Sequence, residues 1–152
     1  HYGALYQIAK AFEQSQHLRL AHRAWREFEP LAQESTDTPS LVYAKERIAA
    51  LEDRMAALDE QMKTGVDLLH VQGRPADAVP YFEEIRNAWP THYGARYQHA
   101  VALEQSGQNS AAEGAWRQFL ASAEASKSLD DIEVAKAAIL RVLAHQENQE
   151  PG

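Results

Sequence analysis

The run His1-Tyr2-Gly3-Ala4-Leu5-Tyr6-Gln7 returns 91 residues later as His92-Tyr93-Gly94-Ala95-Arg96-Tyr97-Gln98. The match continues without a gap: residues 1–48 and 92–139 share 21 identities in 48 positions. These include Glu13-Gln14-Ser15 with Glu104-Gln105-Ser106, Trp25-Arg26 with Trp116-Arg117, and Ile48 with Ile139. A fixed long period constrains the fold more than any composition does, because each repeat must bury its apolar face against its neighbours.

A shorter period lies inside the long one. A shift of 34 residues brings Leu69 onto Leu103, Gly73 onto Gly107, Ala78 onto Ala112, Phe82 onto Trp116 and Ile85 onto Phe119. Small and large apolar residues at this spacing mark a helix–turn–helix unit. Residues 59–92 and 93–126 then form two 34-residue hairpins, and 127–149 a 23-residue extra helix, which together fill the 91-residue period. On this division 59–149 is a complete unit. Residues 1–58 are the end of another, with a hairpin over 2–35 and an extra helix over 36–58; 150–152 is a tail. We expect a fragment of a longer repeat protein, preceded by a hairpin resembling 59–91.

The helices can be placed from their apolar stripes. Leu5, Ile8, Ala9 and Phe12 share one face of a helix over 2–15, and Ala21, Ala24, Trp25 and Phe28 face inward from 18–34. Pro30 removes a backbone hydrogen bond there and is expected to kink or shorten that helix. Leu41, Ala44, Ile48, Leu51, Met55, Leu58, Met62, Gly65 and Leu69 alternate steps of three and four, a heptad seam held for four heptads. It predicts one helix over 39–71, the alternative being two helices meeting at Leu58-Asp59 with Asp59 as N-cap. Gly73 ends it, Pro75 opens the next helix and Pro90 closes that one. Helices over 92–106 and 110–125, turned at Gly107, precede a last helix from Leu129 to about Ala144 with Ile132, Ala135, Ile139 and Val142 inward. His145 to Gly152 is expected to fray.

The stretch Gly65, Leu69, Gly73, Ala78, Phe82, Ile85 and Pro90 resembles a tetratricopeptide repeat (TPR), and 93–126 and 2–35 look like further copies. The usual Trp near the start of the first helix is missing, and Glu124 stands where Pro90 supplies proline. The resemblance covers about two thirds of the chain. It implies an all-α, right-handed superhelix of TPR-like hairpins, here with an extra long connecting helix. It also implies that the first helix of each hairpin lines a concave groove that holds a peptide or helix of a protein partner. The implied groove residues are Tyr6, Gln7, Lys10, Glu13 and Gln14, then Lys63, Asp67 and His70, then Tyr97, Gln98, Glu104 and Gln105. The Lys/Asn pair with which some TPR proteins clamp a peptide carboxylate is not matched: Tyr6 and Lys10, Lys63 and Asp67, and Tyr97 and Val101 stand at that spacing. A groove-facing Tyr97 would be dispensable to the fold, unlike Trp116.

Other function classes fare worse. The chain has 15 Lys and Arg against 22 Asp and Glu, a formal net charge of −7. Nucleic-acid binding needs cationic surface to release phosphate counterions, so none is expected. No apolar run is long enough to predict a membrane span, and no signal peptide is visible. Cysteine is absent, which removes thiolate metal sites and disulfides and leaves the compartment open, with the cytoplasm ahead of the periplasm or secretion. No phosphate loop, nucleophile elbow or paired-His zinc motif occurs. His92 and His99 lie two helical turns apart, too far for one ion, and His17 and His22 straddle a turn. No catalytic residue, cofactor or metal is therefore assigned. The reading is a non-enzymatic interaction scaffold. The alternative is a self-association or spacer module acting through the helix 39–71 or the repeat edges.

Overall fold

The computed structural model describes residues 2–149, with the side chain of Gln149 left aside. The structure is all-α: 87% helical, with seven helices and no strand among the described residues. The helices are α1 (Tyr2–Gln14), α2 (Leu18–Glu34), α3 (Thr38–Val66), α4 (Pro75–Ala88), α5 (Tyr93–Gln105), α6 (Asn109–Ala125) and α7 (Leu129–Gln149). Residues Asp67–Val71 form a π-helical turn directly after α3. The chain divides into two compact units, residues 1–60 with 88–91, and 61–87 with 92–152.

The seam from Leu41 to Leu69 does form a continuous helical stretch, with no break at Leu58-Asp59. Its last turn widens to a π turn: the Gln72 amide donates to the Asp67 carbonyl at 2.9 Å, and Arg74 N–H reaches Leu68 O at 2.8 Å. Gly73, at φ +63°, provides the left-handed residue that turns the chain away. Ala44, Ile48, Leu51, Leu58, Gly65 and Leu69 of the seam are buried, and Leu41, Met55 and Met62 half-buried, within the single chain.

Three positions in the repeat use the same left-handed turn with different residues. Gly107 at φ +80° stands 34 residues after Gly73, and its equivalent 91 residues earlier is Gln16 at +61°. Thr36 at +56° and Lys127 at +57° are a second equivalent pair. At the four turns other than that at Gly73 the same two bonds close the preceding helix; after α2, for example, Thr36 N–H donates to Gln33 O at 3.1 Å and Asp37 N–H to Ala32 O at 3.0 Å. These bonds hold even a β-branched residue in a region it disfavours.

In the first unit α1 packs on α2. Ala9 and Ala21, both fully buried, let the helix axes approach, and Trp25 and Phe28 fill the space beside them. In the second unit α5 packs on α6 and α6 on α7. Ala100, Ala112, Trp116 and Phe119 repeat the pattern, and Leu69, Ala78, Val79, Phe82, Ala135, Ile139 and Val142 join that core. A Cβ at Gly65 would lie 2.8 Å from the Phe82 ring, so glycine there lets α4 approach closely.

Two expectations need correction. Pro30 does not shorten α2, which runs to Glu34 and matches α6 at 17 residues. Pro30 is exposed, so the carbonyl it leaves without an intrahelical partner lies on the solvent side. The last helix does not stop near Ala144 but continues to Gln149; residues 150–152 lie outside the described chain.

Candidate functional site

The hairpin's first helix and the extra helix enclose a cleft in the second unit. Tyr97, Val101, Glu104 and Gln105 of α5 line one side and Val134, Ala137 and Arg141 of α7 the other, with Trp116 of α6 also contributing to the lining. Its volume is about 490 Å³, enough for one or two large side chains. Three of the groove residues named from sequence, Tyr97, Glu104 and Gln105, thus meet in one place. In the first unit Tyr6 and Gln7 line a cleft of about 380 Å³ with Tyr2, Gly3, Phe28, Asp37 and Ser40.

The two clefts occupy different positions within their repeats. The first-unit counterpart of Val134 is Tyr43, whose ring centroid lies 5.6 Å from that of Trp25, nearly perpendicular, and 6.0 Å from that of Tyr6. The counterpart of Val101 is Lys10, whose Nζ sits 5.5 Å from the Tyr6 ring centroid. A large ring and a cation therefore occupy the space that two valines leave open in the second unit. The sequence alignment contains this Val/Tyr exchange, but only the packing gives it meaning.

The tyrosines shared by the two copies are partly structural. Tyr97 sets its ring 5.6 Å from Trp116 at 76° and 5.4 Å from Phe119 at 58°. Tyr6 does the same with Trp25 at 5.2 Å and Phe28 at 5.4 Å. Edge-to-face contacts of this kind add about 0.5–1.5 kcal/mol beyond area burial. Tyr97 is half-buried, with part of its ring on the core and part lining the cleft, so it is not dispensable to the fold as a purely groove-facing ring would be.

Glu13 and Glu104 are held by the fold. The Trp116 indole N–H donates to Glu104 Oε1 at 2.9 Å, and the Trp25 indole N–H to Glu13 Oε2 at 2.7 Å. Each carboxylate also accepts from an arginine of the extra helix: Arg141 Nε and, at 2.8 Å, Nη2 to Glu104, and Arg47 Nε at 2.9 Å and Nη2 to Glu13. The Arg141 bond, opposed by burial, holds the Glu104 carboxyl below its ordinary range. The two arginines do not occupy equivalent positions, since Arg47 corresponds to Ala138 and Arg141 to Ala50. They supply the same bond from adjacent turns.

A second exchange anchors the start of the extra helix. Asp37 accepts from Ser40 N–H at 3.3 Å and from the Tyr2 hydroxyl at 3.4 Å. In the second unit Ser128 stands at Asp37's place and Asp131 at Ser40's; Asp131 Oδ2 accepts from Ser128 Oγ at 2.9 Å and from the Tyr93 hydroxyl at 2.7 Å. Cap and N3 residue have traded identities, and the tyrosine follows the carboxylate. Burial, then the Asp131 bond, pushes the Tyr93 phenol up to about 12.

The remaining named residues are dispersed. Gln14 is exposed on α1. Lys63 and Asp67 do not line the second-unit cleft, and Asp67 accepts from Gln72 Nε2 at 2.5 Å. His70 Nε2 lies 2.7 Å from Gln98 Oε1. Of the histidines considered from sequence, His92 caps α5 by accepting from Ala95 N–H at 3.0 Å, and His22 lies 2.9 Å from Glu52. His99 is buried against Arg86, whose Nη1 is 2.8 Å from Nδ1, and Glu83 at 3.6 Å. No group of three potential metal ligands occurs among the described residues, and no described helix is long and apolar enough to cross a membrane.

No family model, curated protein or solved structure matches the chain. The internal repeats and the cleft geometry therefore carry the functional reading.

Proposed function

We propose that this chain is a non-enzymatic interaction scaffold of the tetratricopeptide class, built as a right-handed superhelix, that holds a peptide or helix of a protein partner in the cleft between α5 and α7. The observation that carries this reading is the open space of about 490 Å³ beside Tyr97, at the place where Tyr43 fills its counterpart in the first unit. The wall of the cleft is apolar at Val101, Val134 and Ala137, and its end is polar at Gln105 and the Glu104–Arg141 pair. Such a site takes one bulky apolar side chain, with the flanking peptide backbone meeting Gln105 and Arg141. Rigid aromatic area at Tyr97 and Trp116 supplies contact at low entropic cost.

The alternative role in self-association through the long helix has less support. Its seam residues are already buried or half-buried by the chain itself. Selection of displayed random peptides on the chain, followed by amide shift mapping of a selected peptide, tests the proposal. Shifts confined to α5 and α7 around Val101 and Val134 are expected. Failure to enrich any peptide, or shifts spread elsewhere, would overturn it.

A further inference from the structure

In the second unit an arginine of α4 ends on neutral partners. Arg86 Nη1 lies 2.8 Å from His99 Nδ1 of α5, and Arg86 Nη2 donates to Gln118 Oε1 of α6. A guanidinium has donors alone, so Nδ1 must be the acceptor, and the proton of the neutral ring sits on Nε2. His99 is 7% exposed. Its Nε2 is buried with no hydrogen-bond partner among the described residues, and Glu83 Oε1 stands 3.6 Å away, beyond bonding distance.

Charge surrounds this ring unevenly. α4 presents Arg86 and Glu83, and the Glu83 side chain is 56% exposed, so water screens it. On α5, Arg96 adds a second positive charge against Arg86, and its Nη1 donates to Ser122 Oγ at 2.7 Å. α6 contributes the neutral Gln118 and Ser122. Burial and the Arg86 charge, opposed by Glu83, hold the His99 pKa below its ordinary value. Acid therefore favours any arrangement in which the ring meets water. The first copy has Ile8 and Glu27 at the places of His99 and Gln118, so the cluster is not shared by both repeats.

We propose that His99 is an acid-sensitive latch on α4: a proton taken up at Nδ1 breaks the bond to Arg86 and loosens the last turns of that helix from α5. The proton occupies the lone pair that Arg86 uses, so the bond and the charged ring cannot coexist. Two cations then face each other across a buried contact, where water screens them little. Arg86 keeps its bond to Gln118, and Glu83 is too far to accept from Nε2–H without moving. The cleft between α5 and α7 is lined by other α5 residues, Tyr97, Val101, Glu104 and Gln105, so the latch stands independently of the proposed peptide site.

NMR of the intact chain reads both halves of this device. At about pH 7.5 the ring nitrogens of His99 should show the proton on Nε2. Between about pH 7.5 and about pH 5, amide protection factors, which remove the intrinsic pH dependence of exchange, should fall by at least about tenfold over residues 83–87. The amides of Trp116 and Phe119 should keep theirs, which separates loosening of α4 from unfolding of the unit. His99→Gln keeps an oxygen that can accept from Arg86 but takes up no proton, and should remove the acid loss. Arg86→Met removes the opposing cation and should shrink that loss as well, which decides the matter if the glutamine variant does not fold. The proposal falls if the proton sits on Nδ1 at about pH 7.5, or if the ring is still neutral at about pH 5. It also falls if protection over 83–87 survives protonation of His99, if Trp116 and Phe119 lose protection in parallel, or if a folded variant keeps the full acid loss.

Discussion

Removing the Glu104 carboxylate distinguishes a binding role from a structural one. Trp116 is 2% exposed, and Glu104 is the acceptor that its indole N–H reaches. Glu104→Ala leaves that donor buried without an acceptor, at a cost of about 1–3 kcal/mol. The ion pair adds little, because the Arg141 side chain is 51% exposed; such pairs contribute about 0.2–1 kcal/mol. The sum is about 1–4 kcal/mol, which for a chain of this size lowers Tm by roughly 2–16 °C. Glu104→Gln keeps an oxygen facing the indole and loses only the charge, so it should cost less than about 1 kcal/mol. Arg141→Ala should match the glutamine variant. Chemical denaturation of the three variants gives the values. Equal losses for Glu104→Gln and Glu104→Ala, or a loss below about 0.5 kcal/mol for alanine, would refute the argument that the indole bond preserves this residue.

Thr36 is a β-branched residue at φ +56°, so Thr36→Gly should stabilise by about 0.5–1 kcal/mol, read by denaturant midpoint; a loss would show that its side chain contributes more than its strain. Met55→Pro breaks the continuous stretch of α3 and should cost at least about 3 kcal/mol; unchanged melting would contradict the continuity. Burial, reinforced by the Arg86 charge and opposed by Glu83, lowers the His99 pKa below its ordinary 6.5. As pH falls below about 6.5 the unfolded chain binds a proton that the native chain resists. Stability contributed above that pH is therefore lost on the way down to the folded value, and His99→Gln should flatten this part of the stability–pH curve.

The helices were legible in the sequence because apolar spacing and turn glycines report burial directly. The seam from Leu41 to Leu69 and the stops at Gly73 and Gly107 are of this kind. Gln16, Thr36 and Lys127 could not be read as left-handed turns from residue type, since helix-end bonds rather than local preference hold them there. Retention of Glu13 and Glu104 looked like a groove signal because each indole partner lies 12 residues away and each arginine at a non-equivalent position. An exposed apolar edge on α1 was expected from the repeat period, and Ile8, 47% exposed, lies on it, although its place on the stripe alone does not show this. An apolar residue on a helix stripe reads as core whether or not anything covers it. The open cleft depends on Val134 standing where Tyr43 does, a difference of volume that no motif records.

That same difference provides the most direct test of the binding account. Val134→Tyr installs in the second unit the residue that occupies its counterpart, where Tyr43 packs beside Tyr6 and Trp25. The repeat already tolerates this ring at the equivalent place, so Tm should change by only a few degrees, about 1 kcal/mol or less. Affinity for a peptide selected on the parent chain is the measurement, by fluorescence anisotropy. If a partner's side chain enters the cleft between α5 and α7, Val134→Tyr weakens binding by at least about tenfold, or about 1.4 kcal/mol. Parental affinity in a folded Val134→Tyr variant would contradict the account.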